Sequence, residues 1–592
     1  MKKTILFLGA LSMSLISFAQ QHSSSEPLPK GLSIEEQGIM REYYSNYQFN
    51  NARGIESAPT GEIRTAAEWE EIQTLVITWT GQFNSIQSQI VEAAQEECLV
   101  LIACGDSNQV KSQLNTAGVT ITNVDFLEIP FNSIWMRDYA GNTMYKNDVD
   151  SLFLVDWIYN RPRPYDDVMP EEHAAYHNIP IYTTTLAPTD LVNTGGNFMA
   201  DGLGTGFASE LILEENEPGN PYSVTAKTEA QIDAIKMDWM GLDRYIKMPI
   251  LPYDGIHHID MHMKLLDEET LLVSEYPSGV ADGPQIEANL QYVLSNFNSS
   301  FGTPYKVVRI TVPPSTSGLY PDNNGYYRTY SNSVFVNKTI LMPSYRQEYD
   351  TVAIRTYEEA LPGYTVVPID VDNNGQNLIS LSGAIHCITH SIGVDDPLWI
   401  VHQALDDTSD DVNPYTVSAE IKHRSGISSA TMYYRTAGSG AYASVPMTNT
   451  GGATWVADIP AQTIGTTIQY YVEGNAVNGK TTVRPLVAPT GYWEFDVTAV
   501  SGIEDLTSFE FQAIYPNPAN AITVVPVNSP IETEGVITLR DITGKVVHEI
   551  HNGVISAGEQ NFFLFADQFA SGSYLVTIEL GEFVLTQKLM IK

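Results

Sequence analysis

Cys387 lies in the run Leu381-Ser382-Gly383-Ala384-Ile385-His386-Cys387-Ile388-Thr389, where three small residues let the backbone come close to a ligand. A thiolate in such a place is a nucleophile, and a buried core thiol is the alternative. A second patch reads Asp254-Gly255-Ile256-His257-His258-Ile259-Asp260-Met261-His262. Read as a strand, it puts residues two apart on one face, so His258 and Asp260, or Asp260 and His262, address one cavity. A His and an Asp aimed at a thiol supply proton transfer and negative charge for covalent catalysis. Three His within six residues also suit zinc, but no further carboxylate or His completes a ligand set. A solvated polar strand edge is the remaining reading. In Trp135-Met136-Arg137-Asp138-Tyr139, Asp138 can face a cation while Trp135 stacks on its planar part, or Arg137 and Asp138 form a structural ion pair under an aromatic lid. Thr194-Gly195-Gly196-Asn197 is a glycine-rich turn. Arg161 and Arg163 stand two apart in a proline-stiffened stretch, 159–164, so both can serve one pocket; the alternative is two surface charges.

These residues need a frame to bring them together. From about 66 to 405 short apolar strands alternate with helical stretches. Strands are predicted at 72–79 and 99–103 with helices at 83–97 and 107–117, and the order returns at 270–274, 286–298 and 305–312, then at 333–342, 350–360 and 365–369. Repeated strand–helix–strand units of similar length predict an α/β domain with internal repetition. No glycine-rich phosphate loop follows an early strand, which lowers the case for a doubly wound nucleotide fold. After about 410 the helices vanish. Residues 411–500 carry short strands (417–421, 430–434, 453–459, 467–473, 492–497) with turn residues every ten or so, the pattern of an immunoglobulin-like β-sandwich. A further all-β unit occupies 505–592.

The chain has 592 residues, with 31 Lys+Arg against 70 Asp+Glu, a net charge of −39. Binding to nucleic acid or to anionic membrane through clustered basic residues is excluded on that balance, whereas a cationic substrate is compatible. Lys2 and Lys3 precede an apolar run to Phe18 that is too short to span a bilayer, so 1–19 reads as a secretory signal peptide; no later segment is apolar enough to be a transmembrane helix. Residues 20–65 form a polar pre-segment, read as extended. Secretion permits disulfides, but Cys98 and Cys104 flank one predicted strand, about 20 Å apart, and read as inert core thiols. No motif requires a cofactor. The acidic pairs 166–167, 406–407 and 410–411 lack a calcium register, so structural calcium stays open.

Taken together, the Trp-Met-Arg-Asp, Gly-Gly-Asn, His-Ile-Asp and Gly-Ala-Ile-His-Cys-Ile-Thr motifs over 66–405 resemble the guanidine-modifying deiminases, in the branch of bacterial peptidylarginine and agmatine deiminases. The resemblance implies a pentein fold, a five-fold pseudosymmetric α/β propeller with a central active site. It implies Cys387 as the nucleophile on the guanidinium carbon, Asp138 and Asp260 as ligands of the guanidinium nitrogens, and His258 as the general acid/base. Trp135 and Asn332 would line the site. Two nearby carboxylates should raise the Cys387 pKa, so its thiolate depends on His258 or on the arriving cation. Arg161 and Arg163 resemble a pair that holds the terminal carboxylate of an arginine-ended peptide in the secreted peptidylarginine deiminases. Thr194 departs from the acidic residue common there in the agmatine branch. Peptidyl-arginine is therefore the expected substrate, with agmatine or free arginine as the alternative within the fold and a catalytically inactive binding protein as the alternative outside it. The last unit, with Tyr515-Pro516-Asn517-Pro518, Thr543-Gly544-Lys545 and Lys588-Leu589-Met590-Ile591-Lys592, resembles the type A C-terminal sorting domain of type IX secretion cargo. That implies a secreted or cell-surface protein handled by the type IX machinery.

Overall fold

A computed structural model describes residues 27–46, 54–373, 375–499, 513–520, 522–581 and 583–592. The predicted signal peptide lies outside these.

One pattern recurs five times between residues 63 and 393: a short strand runs antiparallel to a central strand, which pairs in parallel, after a helix, with a third. The central strand, helix and parallel strand are Ile72–Thr78, Asn84–Ala94 and Leu99–Cys104 in the first unit. They are Ser151–Asp156, Met169–His177 and Ile181–Thr183 in the second, and Thr205–Ser209, Glu229–Met240 and Arg244–Met248 in the third. The fourth has Thr270–Glu275, Gly283–Asn296 and Lys306–Thr311, and the fifth Thr339–Ser344, Gln347–Ala360 and Thr365–Asp370. Parallel neighbours need such a crossover, and the helix covers one face of its own small sheet. The helix Asn84–Ala94 shows the apolar stripe this requires, burying Ile86, Ile90, Val91 and Ala94. The antiparallel partner of Ile72–Thr78 is His390–Gly393, so the end of the domain is stitched to its beginning.

The α/β alternation predicted from sequence is present, with two differences. The stretch 333–342 is a hairpin, Val334–Val336 and Thr339–Ser344, because Asn337 adopts φ 49°, a left-handed turn conformation that Asn tolerates. The pre-segment is not simply extended. Residues Ile34–Asn46 form a helix whose start is a reciprocal cap: Ser33 N–H donates to Glu36 Oε2 (2.8 Å) and Glu36 N–H to Ser33 Oγ (3.2 Å). Its Met40 and Tyr44 pack on Ile158, Val192 and Tyr222, and Tyr44 Oη donates to the Tyr159 carbonyl (2.6 Å).

The following unit has two packed sheets. Tyr415–Lys422 shows the strict in–out burial of a half-covered strand and pairs with Thr454–Ile459, while Ile427–Thr436 and Thr466–Ala476 lead the other sheet. Trp399–Val401, inside the span read as catalytic, pairs with Tyr415–Lys422 and thus belongs to this unit. Ion pairs Arg484–Glu268 (3.2 Å), Lys480–Glu71 (2.7 Å) and Lys422–Asp148 (2.9 Å) fasten it to the α/β domain. The last unit is all-β, with Thr533–Asp541 flanked by Val546–Ile555 and Gly572–Leu580, and a core that includes Ile537, Leu539, Val576 and Ile578.

Candidate active site

The five repeats deliver the candidate residues by one rule. Each short antiparallel strand is preceded by a tight turn, and the turns converge. Asp138 lies in Met136–Tyr139 before strand Asn142–Lys146, and Gly196 in Gly195–Asn197 before Met199–Ala200. Asp260 lies in Ile259–Met261 before Met263–Leu265, Asn332 just before Val334–Val336, and Cys387 in His386–Ile388 before His390–Gly393. The strand read for 257–262 is therefore corrected to a 3₁₀ turn, entered through His257 at φ 58°. His258 and Asp260 still meet at one site, but through the turn rather than through strand alternation.

Gly196 is the repeat that contributes no side chain, and the reason is steric. A Cβ there would stand 2.5 Å from His258 Nδ1, 2.8 Å from Asp138 Oδ1 and 3.2 Å from Asp260 Oδ2. Asn197 next to it holds the opposite turn: its Oδ1 accepts from the backbone N–H groups of Ile259 (3.3 Å) and Ser209 (2.8 Å). Gly383 is similarly confined, since a Cβ would collide with the Trp135 ring and reach within 3.1 Å of Cys387 Cβ.

Cys387 is completely buried. Its Sγ lies 3.2 Å from Asn332 Nδ2 and 3.6 Å from Asp260 Oδ2. Burial, with Asp260 second, pushes the thiol up to about 12. Asn332 Nδ2 also donates to the Asp260 carbonyl (3.3 Å), and the Asn332 main-chain carbonyl accepts from His386 N–H (3.1 Å), so this one residue ties three turns together. His258 is buried with both ring nitrogens lacking a hydrogen-bond partner, 3.5 Å from Asp138 Oδ1; burial and then Lys30 hold its pKa well below 6.5, so the ring is neutral. Burial raises Asp138 despite a nearby cation. Burial would raise Asp260 too, but Lys30 and His386 outweigh it and hold this carboxyl below its usual range.

His386, next to Cys387 in the chain, joins a second buried network. Its Nδ1 lies 2.8 Å from Asp260 Oδ2 and its Nε2 2.6 Å from Glu68 Oε1, while Glu68 also pairs with Arg137 Nη2 (3.0 Å) and with Lys264. Arg137 thus serves this buried network rather than pairing with Asp138. Among the described residues no group of three or more His, Cys, Asp or Glu is placed to hold a metal. Cys98 and Cys104 are buried free thiols.

The residue that sequence reasoning missed is Lys30. Its ammonium is fully buried at the centre of the site, 2.8 Å from Cys387 Sγ, 3.8 Å from Asp138 Oδ1 and 3.7 Å from Asp260 Oδ1. Those two carboxylate oxygens have no hydrogen-bond partner. Arg161 and Arg163 are buried and both engage the same segment. Arg161 Nε donates to the Lys30 carbonyl (3.1 Å); Arg163 donates to the carbonyls of Pro29 (2.8 Å) and Gly31 (3.1 Å) and pairs with Glu36 (2.7 Å). Trp135 Nε1 donates to the Leu28 carbonyl (3.0 Å), so this Trp works here through its N–H. The other face of the site carries a cavity of about 80 Å³, lined by Asp260, His386, Glu68, Arg137 and Lys264 but not by Cys387.

Residues 64–392 match the model of the Porphyromonas-type peptidyl-arginine deiminase family, and residues 513–592 match a secretion system C-terminal sorting domain, which makes this a secreted or cell-surface protein. No helix among the described residues is long and apolar enough to cross a membrane. A Legionella pneumophila (strain Paris) protein provisionally named an agmatine deiminase is 26% identical over 273 residues, 45% of this chain and 75% of that one. A similarly named protein of Lactococcus lactis subsp. lactis is 25% identical over 304 residues, covering 45% and 76%. Among solved structures, the agmatine deiminase of C. jejuni is 20% identical with a TM-score of 0.45, over 56% of this chain and 96% of that one.

Proposed function

Because the chain belongs to the Porphyromonas-type peptidyl-arginine deiminase family, we propose that it hydrolyses the guanidinium of peptidyl-arginine to citrulline and ammonia, with Cys387 as the nucleophile. The observation that carries this reading is the pair of orphaned oxygens, Asp138 Oδ1 and Asp260 Oδ1, aimed at one point beside Cys387 Sγ. A buried carboxylate oxygen without a donor is costly, and a planar cation with several N–H groups satisfies two at once.

In the proposed reaction the thiolate adds to the guanidinium carbon, forming a C–S bond while both Asp side chains balance the cation. The arriving cation favours the thiolate that burial opposes, and His258 takes up the thiol proton, which it then holds for the leaving nitrogen. The tetrahedral adduct breaks one C–N bond, and the nitrogen leaves as ammonia with a proton from His258. Water, deprotonated by His258, then adds to the thiouronium carbon. The C–S bond breaks to release citrulline and regenerate the thiolate. His258 suits both transfers because both of its ring nitrogens are uncommitted and the ring is neutral at rest. Thiol, imidazole, two carboxylates and water complete the cycle, so the scheme needs no cofactor.

The five like sheets are read as blades of a five-fold pseudosymmetric α/β propeller with Cys387 in its central channel, the two packed sheets after it as an immunoglobulin-like brace, and the sorting domain as the part handled by type IX secretion machinery. Arginine at a peptide C-terminus is the favoured substrate. Arg161 sits where it meets the carbonyl of the residue in the site, which in a terminal arginine is one oxygen of a carboxylate. Agmatine lacks that oxygen. The test is citrulline or ureido product from three substrates with the Lys30→Ala chain: a peptide ending in arginine, the same peptide with internal arginine, and agmatine. Turnover of agmatine alone refutes the peptide reading. Arg161→Ala should weaken use of terminal arginine far more than of agmatine; equal losses remove the carboxylate role.

A further inference from the structure

A lysine and an arginine side chain each place five atoms in line beyond Cα before branching ends, so Nζ of one corresponds to the guanidinium carbon Cζ of the other. In a guanidinium bound to a carboxylate, a C–N bond of about 1.33 Å and an N–H···O distance of about 2.8 Å at a trigonal angle put the carbon about 3.7 Å from the oxygen. Lys30 Nζ stands 3.8 Å from Asp138 Oδ1 and 3.7 Å from Asp260 Oδ1, and it is 2.8 Å from Sγ. The lysine nitrogen marks the spot of the carbon to be attacked. It offers the two carboxylates a charge but is too far to donate to them, and it presents the thiol with no trigonal carbon.

The main chain around Lys30 is held like a ligand. Lys30 N–H donates to the Leu381 carbonyl (3.0 Å), Trp135 Nε1 holds the Leu28 carbonyl, Arg161 the Lys30 carbonyl, and Arg163 the carbonyls of Pro29 and Gly31. Beyond it the capped helix Ile34–Asn46 presents Glu36 to Arg163. A fully buried ammonium with this set of partners is specified by the fold, since an unpaired one is strongly disfavoured.

We propose that residues 28–36 are a pseudosubstrate that keeps the enzyme latent, and that the groove they fill is the peptide-binding cleft, in which Trp135 and Arg163 read the two carbonyls before the target arginine, Leu381 its N–H and Arg161 its own carbonyl. The substrate class is therefore an arginine peptide with at least two residues before the arginine, and the inhibitor is the chain's own lysine segment. A tethered segment acts at an effective concentration of about a millimolar or more, comparable to or above ordinary KM values, so modest intrinsic affinity suffices to close the site. The proposal rests on the deiminase reading, and its test separates the two.

The experiment uses the full chain with Lys30→Ala and Lys30→Arg variants. The first readout is the rate at which a cationic haloacetamidine alkylates Cys387, followed by mass spectrometry. Lys30→Ala should label at least about tenfold faster than the native chain, and citrulline release from an arginine-ended peptide should rise in parallel, because removing a saturating competitor frees the site. The second readout is position 30 of the Lys30→Arg variant, where a true guanidinium carbon now meets Sγ: water replaces ammonia there, converting that residue to citrulline, and Cys387→Ala in the same chain prevents it. Unchanged or slower labelling of Lys30→Ala overturns the proposal, and so does lost peptide turnover with it, which would make Lys30 part of the machinery. Peptide turnover with no conversion at position 30 also overturns it. Faster labelling with no citrulline from any substrate or variant supports the pseudosubstrate and refutes the deiminase reading.

Discussion

The steric role of Gly196 gives a demanding prediction. Gly196→Ala adds one methyl group at a backbone conformation open to any residue, so no strain arises from φ. The new carbon would meet His258 Nδ1 at 2.5 Å and Asp138 Oδ1 at 2.8 Å, about 0.9 and 0.6 Å inside the 3.4 Å where ordinary contact begins. His258, Asp138 and Asp260 are each 2% exposed or less, so none can swing into solvent to make room. The methyl group must displace His258 or Asp138 by most of an ångström. Overpacking of this size costs about 1–3 kcal/mol of stability. A misplacement near 1 Å costs about 100-fold in rate. The assay is kcat/KM for an arginine-ended peptide in the Lys30→Ala background, beside a thermal melt. Gly105→Ala is the control, because a Cβ there meets nothing within 4 Å. Folded Gly196→Ala protein with kcat/KM within threefold of its parent would refute the placement of these three side chains.

Asp138→Asn should raise the melting temperature at pH 7 while abolishing turnover: burial raises this carboxyl in the fold, so its ionised form opposes folding above that pKa, and the penalty fades as pH falls. Asp260 has the opposite sign, since Lys30 and His386 hold it low; its stabilisation is present above about pH 4 and lost as pH falls below, so Asp260→Asn should flatten the acid limb of a melting-temperature profile. Glu68→Gln leaves Lys264 and Arg137 buried without their shared anion and should cost about 3–5 kcal/mol, read by chemical denaturation. Ser33→Ala removes a helix cap worth about 1 kcal/mol and should speed Cys387 alkylation in the otherwise native chain by up to about fivefold, with the Lys30→Ala chain unaffected.

Much of this was readable from residue pattern because local physics and fold agree in the repeats. A buried central strand such as Ile72–Thr78 is continuous apolar sequence, and the helix after it has a clean stripe, so alternation alone located the α/β units. The four motifs around Asp138, Gly196, Asp260 and Cys387 were also visible, since each is compact in sequence. Their convergence was not, because it comes from equivalent turns in different repeats, and periodicity within 257–262 pointed to a strand where a left-handed residue starts a turn. Glu68 and His386 act through contacts more than 300 residues apart, which no local spacing reveals. Lys30 had a faint signal. It is the only lysine between Lys3 and Lys111, and it stands three residues before the Ser33–Glu36 capping pattern, yet in an acidic, polar stretch nothing marks a single cation as buried.

The central claim is that Cys387 converts peptidyl-arginine to citrulline. It is tested most directly by mass spectrometry of an arginine-ended peptide after incubation with the Lys30→Ala chain and with the same chain carrying Cys387→Ala. The expected result is conversion of that arginine to citrulline with Cys387 present and none without it. Citrulline formed at the same rate by the Cys387→Ala chain would contradict the account.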